Sequence, residues 1–270
     1  MRMFLLVVAT GVALSYGTAL IALLWLQGRL VYPLERLRGN PFATTDDALA
    51  DVAVHTSDGL TLTGRYHPPS RESAATVMLF HGNGEDLSQR AHIAHDLIAR
   101  GYGVFQVEYR GYGGNPGTPH EAGLYADARA AYAFVAARTR SIVLHGYSLG
   151  SGVATQLASE MRIEALVLEA PFTSIVDVGA QKFPLFPVRW LARDRYDSLS
   201  KISQVRAPLL IYGGTEDRMV PPRHFLRLHG AARGRKELAL IHDANHIDVW
   251  TMGGAARVLR FLEEVEAARS

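Results

Sequence analysis

The spacing of apolar positions divides the chain into unlike parts. From Met3 to Gly28 they are nearly continuous, with no charged residue between Arg2 and Arg29. A run of that length exceeds the roughly 20 residues that cross a bilayer. A cleaved signal peptide has a shorter apolar core, about 7 to 15 residues, and a small-residue cleavage site. Here the run closes on Leu23, Leu24, Trp25 and Leu26, so an uncleaved membrane anchor is expected over 1–28. Residues 29–50 hold Pro33, Gly39, Asn40 and Pro41 among mixed charges without a clear period, and they are expected to form a membrane-proximal linker.

A different pattern starts at 51. Residues 51–56 and 60–66 alternate apolar and polar around Ser57, Asp58 and Gly59, the signature of a hairpin. Short runs apolar on both faces follow at 75–80, 103–107, 141–145, 164–168, 207–212 and 237–241. Such runs suit buried parallel strands. Helical spacing fills 87–100, 121–138, 149–160 and 247–267. A hairpin followed by repeated β-α units predicts an α/β domain over 51–270, a mostly parallel twisted sheet with helices on both faces. The interval between the runs near 164 and 207 is too long for an ordinary loop, so about 171–203 is expected to be a small cap over the strand carboxyl ends. Within it, Phe183, Phe186 and Trp190 are candidates to line an acyl site, or simply packed aromatics.

Composition narrows the chemistry. The 270 residues are 48% apolar and 20% charged, a globular balance. The 28 basic side chains exceed the 26 acidic ones by only two and are scattered among them, so no stripe for nucleic acid stands out. Zero cysteines exclude a disulfide scaffold, a cysteine-ligated metal and a cysteine nucleophile. Six basic residues run from Arg218 to Lys236 without an acid, which reads as a solvated face or a contact for anionic headgroups. Arg29, Arg36 and Arg38 follow the apolar run while Arg2 precedes it, a bias toward a cytoplasmic catalytic part too small to fix the side.

Gly146-Tyr-Ser148-Leu-Gly150 fits G-x-S-x-G between a strand and a helix rich in small residues. A sharp turn there strains the serine backbone and needs glycine two residues to either side. Ser148 then stands at a helix N-terminus, where the dipole favours a developing oxyanion. A serine hydroxyl needs a base, and in this arrangement the acid and then the histidine follow it in the chain. Asp217 and His246 lie just after the runs at 207–212 and 237–241, at the same strand ends. Glu216 and Glu169 are competing acids, Glu169 being expected instead to make a structural hydrogen bond below the site, and Asp217 alternatively caps a turn before Pro221 and Pro222. For the oxyanion, the amide of Leu149 is one donor and that of Asn83, within His81-Gly-Asn-Gly-Glu-Asp86, is the second; a plain glycine turn is the alternative.

Other clusters have blander readings. His242, Asp243 and Asp248 beside His246 suggest a metal only weakly, since no further ligands are at hand. His92 and His95 share a helix and are expected to face solvent or pack. Arg110, within Glu108-Tyr-Arg-Gly-Tyr-Gly-Gly114, is expected to tie down a glycine-shaped loop.

These motifs, with Gly123-Leu-Tyr-Ala-Asp-Ala128, Glu169-Ala-Pro-Phe-Thr-Ser174 and Asn245-His-Ile-Asp-Val-Trp250, resemble the α/β-hydrolase superfamily over residues 50–265. Within it the chain is most similar to the bud-emergence 46 group and the mammalian alpha/beta hydrolase domain-containing proteins 12, 13 and 17. The resemblance implies a serine hydrolase with Ser148, Asp217 and His246 as its triad. It also implies lysophospholipid or acyl-protein substrates, but the cysteine cluster of the depalmitoylase branch is missing and an apolar anchor stands in its place. The expected reaction is hydrolysis of a small-molecule or lipid ester or thioester at a membrane, with no cofactor. A peptidase or acyltransferase with the same triad is the alternative within enzymes, and an inactive membrane-bound binding module the alternative outside them.

Overall fold

A computed structural model describes residues 1–34, 46 and 48–269. Most of the expected linker, including Arg36 and Arg38, lies outside them. The apolar run forms one helix, α1 (Arg2–Val31), long and apolar enough to cross a membrane. It ends three residues beyond the expected boundary, and Tyr32 directly after it is buried, bonded to Asp194 at 2.9 Å and Tyr196 at 2.8 Å. The start of the expected linker is therefore packed on the domain.

The hairpin is β1 (Ala50–His55) and β2 (Thr61–His67). Six strands follow: β3 (Thr76–Phe80), β4 (Gly103–Val107), β5 (Ile142–Tyr147), β6 (Ala165–Glu169), β7 (Leu209–Gly214) and β8 (Lys236–Ile241). The sheet runs β1-β2-β4-β3-β5-β6-β7-β8, antiparallel at β1/β2 and β2/β4 and parallel elsewhere. Strand order reverses at β3, so the crevice for a ligand opens between the ends of β3 and β5.

Alternation along the strands builds two cores. Met78, Phe80, Leu144, Leu166, Leu168 and Ile211 face one side, where they meet α3 (Glu121–Ala136), α4 (Leu149–Glu160) and α8 (Arg223–Ala231). Val77, Leu79, Val143, Val167 and Leu210 face the other, against α2 (Ala91–Ile98) and α9 (Ala255–Ala267). Helices thus cover both faces. The expected helix at 87–100 is a 3₁₀ turn (Leu87–Arg90) followed by α2, and that at 247–267 begins as a π turn (Trp250–Gly254). The insertion after β6 holds α5 (Ile175–Lys182), α6 (Val188–Leu191) and α7 (Ser198–Lys201).

Helix α8 is absent from the expectations. It buries His224, Phe225 and Leu228 on a narrow face. Arg223, Arg227 and His229 cover the remainder, so the segment is polar on average and draws little notice although its apolar residues keep a helical period.

Candidate active site

Ser148 joins β5 to α4 with φ 48° and ψ −113°, a left-handed backbone that a serine seldom adopts. The flanking glycines are obligatory. A Cβ on Gly150 would stand 2.1 Å from the Phe80 carbonyl oxygen, and one on Gly146 would stand 2.4 Å from the Gly150 carbonyl oxygen. The Ser148 amide donates to the Glu169 carbonyl at 3.0 Å, which fixes the turn to the end of β6.

Three side chains from separate loops meet there. His246 Nε2 lies 3.0 Å from Ser148 Oγ, and His246 Nδ1 lies 2.7 Å from Asp217 Oδ2. The other Asp217 oxygen accepts from the amides of Met219 at 2.9 Å and Val220 at 2.7 Å, so the turn that holds the carboxylate also aims it. Of the competing acids, Glu216 is exposed and Glu169 bonds elsewhere. Tyr147 donates to the His246 carbonyl at 3.2 Å and lays its ring beside the imidazole.

Beneath these groups Glu169 makes structural bonds of the kind expected for it, within a network whose other members the sequence did not suggest. Arg90 donates to Glu169 at 2.9 Å and to Glu85 at 3.0 Å, with its guanidinium 3.4 Å from the centre of the Tyr147 ring. Glu85 in turn accepts from the Gly82 amide at 2.8 Å. Arg90 therefore ties the loop after β3 to the serine turn. Burial raises the Glu169 carboxyl, but the facing Arg90 charge, with help from His145, outweighs it and holds the group down at about 2. Glu169 also accepts from Tyr212 at 2.8 Å, and burial pushes that phenol up. His81 pairs with Glu108 at 2.8 Å; burial opposes its charge, yet the carboxylate raises its pKa.

Asn83 and Leu149 line the cavity above Ser148 and His246. Leu149 is the first residue of α4, a position whose amide has no acceptor within its own helix. The side chain of Asn83 donates to the Val31 carbonyl at 2.8 Å, and its own carbonyl accepts from Tyr112 at 3.1 Å. The last turn of α1 and the loop after β3 are thus directly bonded.

The cavity holds about 810 Å³, in the upper part of the range of about 300–1,000 Å³ usual for ligand sites. Val178, Phe183, Val188 and Leu191 of the insertion form one wall, and Leu23, Leu24, Gln27 and Leu30 of α1 form another. Of the three aromatics expected at an acyl site, only Phe183 is there. Phe186 stacks on Tyr16 at 5.4 Å, and Trp190 is 88% exposed. The single turn α6 is the reason: Val188 and Leu191, three residues apart, face inward and rotate Trp190 out. The α1 wall escaped notice because the helix is apolar on every side, so no stripe marks the face that meets the domain.

The other marked residues lie apart. His242 pairs with Asp243 on the surface, Asp248 bonds Asn245, and among the described residues no three potential ligands gather for a metal. His95 meets Asp46 at 2.8 Å, while His92 reaches the cavity rim. Arg110 bonds Asp127 and Asp58, clamping its loop. In the basic stretch, Arg227 approaches Asp177, Arg235 meets Glu264, and Lys236 caps α8.

Comparison with known proteins agrees with this architecture. Residues 71–200 match the family described as serine aminopeptidase, S33, a span that includes Ser148 and stops before Asp217 and His246. An uncharacterized protein of Mycobacterium tuberculosis is 38% identical over 92% of both chains. Human alpha/beta hydrolase domain-containing protein 17B is 31% identical over 77% of this chain and 72% of its own. Among solved structures, a Pyrococcus furiosus esterase aligns with a TM-score of 0.67 at 21% identity, over 80% of this chain and 91% of that one, a likeness of fold. With its sheet order, its strained serine turn and these relatives, the chain belongs to the α/β-hydrolase superfamily.

Proposed function

We propose that the protein is a serine hydrolase that cleaves a carboxylic ester or thioester bearing an acyl chain, with Ser148, His246 and Asp217 as its triad. The observation that carries this reading is the unbroken hydrogen-bond chain from Ser148 through His246 to Asp217 at the floor of an apolar cavity. Ser148 Oγ attacks the carbonyl carbon as His246 Nε2 takes its proton. The tetrahedral oxyanion is held by the amides of Leu149 and Asn83. His246 then returns the proton to the departing alcohol or thiol. Water, deprotonated by the same imidazole, cleaves the acyl-enzyme and restores Ser148. Asp217 fixes the imidazole tautomer and stabilises its charged form. In the same reading α1 is an uncleaved anchor and the hydrolase domain begins with β1.

The family description favours a second reading, an aminopeptidase. That activity needs a carboxylate to receive the substrate amine. Among the described residues two acids line the cavity, and both are engaged: Glu85 with Gly82 and Arg90, Asp194 with Tyr32 and the Glu121 amide. The cavity suits an acyl chain better. Labelling of the full chain with a fluorophosphonate, beside Ser148→Ala, is the test. Modification at Ser148 that is lost in the variant and weakened in His246→Ala is expected, together with turnover of 4-nitrophenyl esters and none of aminoacyl anilides. A folded protein that takes no label, or that cleaves the anilides alone, overturns the proposal.

A further inference from the structure

Helix α1 is fastened to the domain along half its length. Gly17, Leu20, Leu23, Leu24, Gln27 and Val31 are its half-buried positions, spaced as one helix face, whereas residues 1–16 are exposed. The contact begins at Tyr16, whose hydroxyl donates to the Leu185 carbonyl at 2.9 Å and whose ring stacks on Phe186. Around that contact the insertion exposes Leu185 (80%) and Trp190 (88%), flanked by Lys182 and Arg193.

Length now decides where this tip stands. Between Arg2 and Tyr16 the helix rises only about 21 Å, less than the roughly 30 Å of a hydrocarbon core. A core that begins at Arg2 ends near residue 22, about 9 Å beyond Tyr16 on the domain side. Any shift of the span toward its C-terminus sinks the contact further. A spanning α1 therefore carries Leu185, Phe186 and Trp190 into the leaflet. Lys182 and Arg193 have stems long enough to raise their charges to the headgroups.

Phe183, Val188 and Leu191, which line the cavity and neighbour these residues in the chain, are carried toward the leaflet with them. We infer that α1 and the insertion form one lipid-embedded unit, in which Leu23, Leu24 and Leu30 are the wall along which a long acyl chain passes from the leaflet to Ser148. The substrate class is a membrane-resident long-chain acyl ester or thioester, drawn sideways from the bilayer. This rests on the hydrolase reading above and adds the source of the substrate and the residues that select its length.

The test uses the full chain in phosphatidylcholine vesicles. Of the three tryptophans, Trp250 is buried, so Trp25→Phe leaves Trp190 as the exposed one. Lipids brominated at mid-chain are expected to quench Trp25→Phe by at least about a third and to spare a variant that also carries Trp190→Phe; equal quenching of the two overturns the leaflet contact. In parallel, Leu24→Trp is expected to lower the palmitoyl-to-butyryl ratio of kcat/KM at least about tenfold, and an unchanged ratio overturns the acyl wall. A wild-type protein inert to every ester sinks the hydrolase reading and the acyl wall with it, while quenching of Trp190 still decides the leaflet contact.

Discussion

Ser148, Asp217 and His246 are each less than a tenth exposed and are joined by bonds from three loops, whereas α1 buries no residue at all. One region is held by backbone sterics and a buried ionic network, the other by one half-buried helix face and a few hydrogen bonds. The contrast separates two tasks. Bond cleavage needs atoms placed within tenths of an ångström. Accepting the long apolar chain of the proposed substrate needs only a continuous greasy wall, which a lightly fastened helix supplies.

That contrast is open to attack from both sides. The largest effect is expected at the serine: Ser148→Ala should lower kcat on the order of 10⁶-fold and Asp217→Asn about 10⁴-fold, with flotation on vesicles unchanged in both. Next comes one substitution made in both regions. Gly150→Ala should cost about 3 kcal/mol or more in a thermal melt, because its Cβ meets backbone at 2.1 Å. Gly28→Ala, with nothing within 4 Å, should instead stabilise by less than about 1 kcal/mol. If both glycines respond alike, the contrast fails.

The ionic network has its own signature. Glu169 is held near 2, below the ordinary 4.5, so its carboxylate contributes stability that is complete above about pH 5 and drains as pH falls toward 2. A depression of that size corresponds to about 3 kcal/mol. Glu169→Gln should lower the melting temperature at pH 7, where it removes one of the two carboxylates paired with buried Arg90, and flatten the decline between pH 5 and pH 3. A decline as steep as that of the wild type would locate the acid sensitivity elsewhere.

How much of this was legible in the sequence follows the same divide. Strands β3 to β7 announced themselves because each is short and buried on both faces, β8 by a similar apolar run although it is the half-buried edge strand, and the serine turn because glycine is compulsory on either side. Asp217 and His246 were found by position, each directly after a strand. Arg90 was invisible as a partner of Glu169, since 79 residues separate them and only the sheet brings them together. Trp190 misled because a four-residue helix carries no periodic signal to tell inside from outside. The cavity wall in α1 was hidden for the opposite reason, being apolar on every side.

The bond from Asn83 to the Val31 carbonyl makes the oxyanion loop a lever on the last turn of α1. An apolar helix longer than its bilayer leans over, and a thicker bilayer stands it upright. Such a change of lean pulls on Asn83, whose amide faces the reacting carbonyl in the proposed mechanism. Turnover of one water-soluble ester should therefore track the acyl length of the host lipid in reconstituted vesicles, and Asn83→Ala should uncouple the two. On the proposed reading of α1 as an anchor, the catalytic loop is a gauge of membrane thickness.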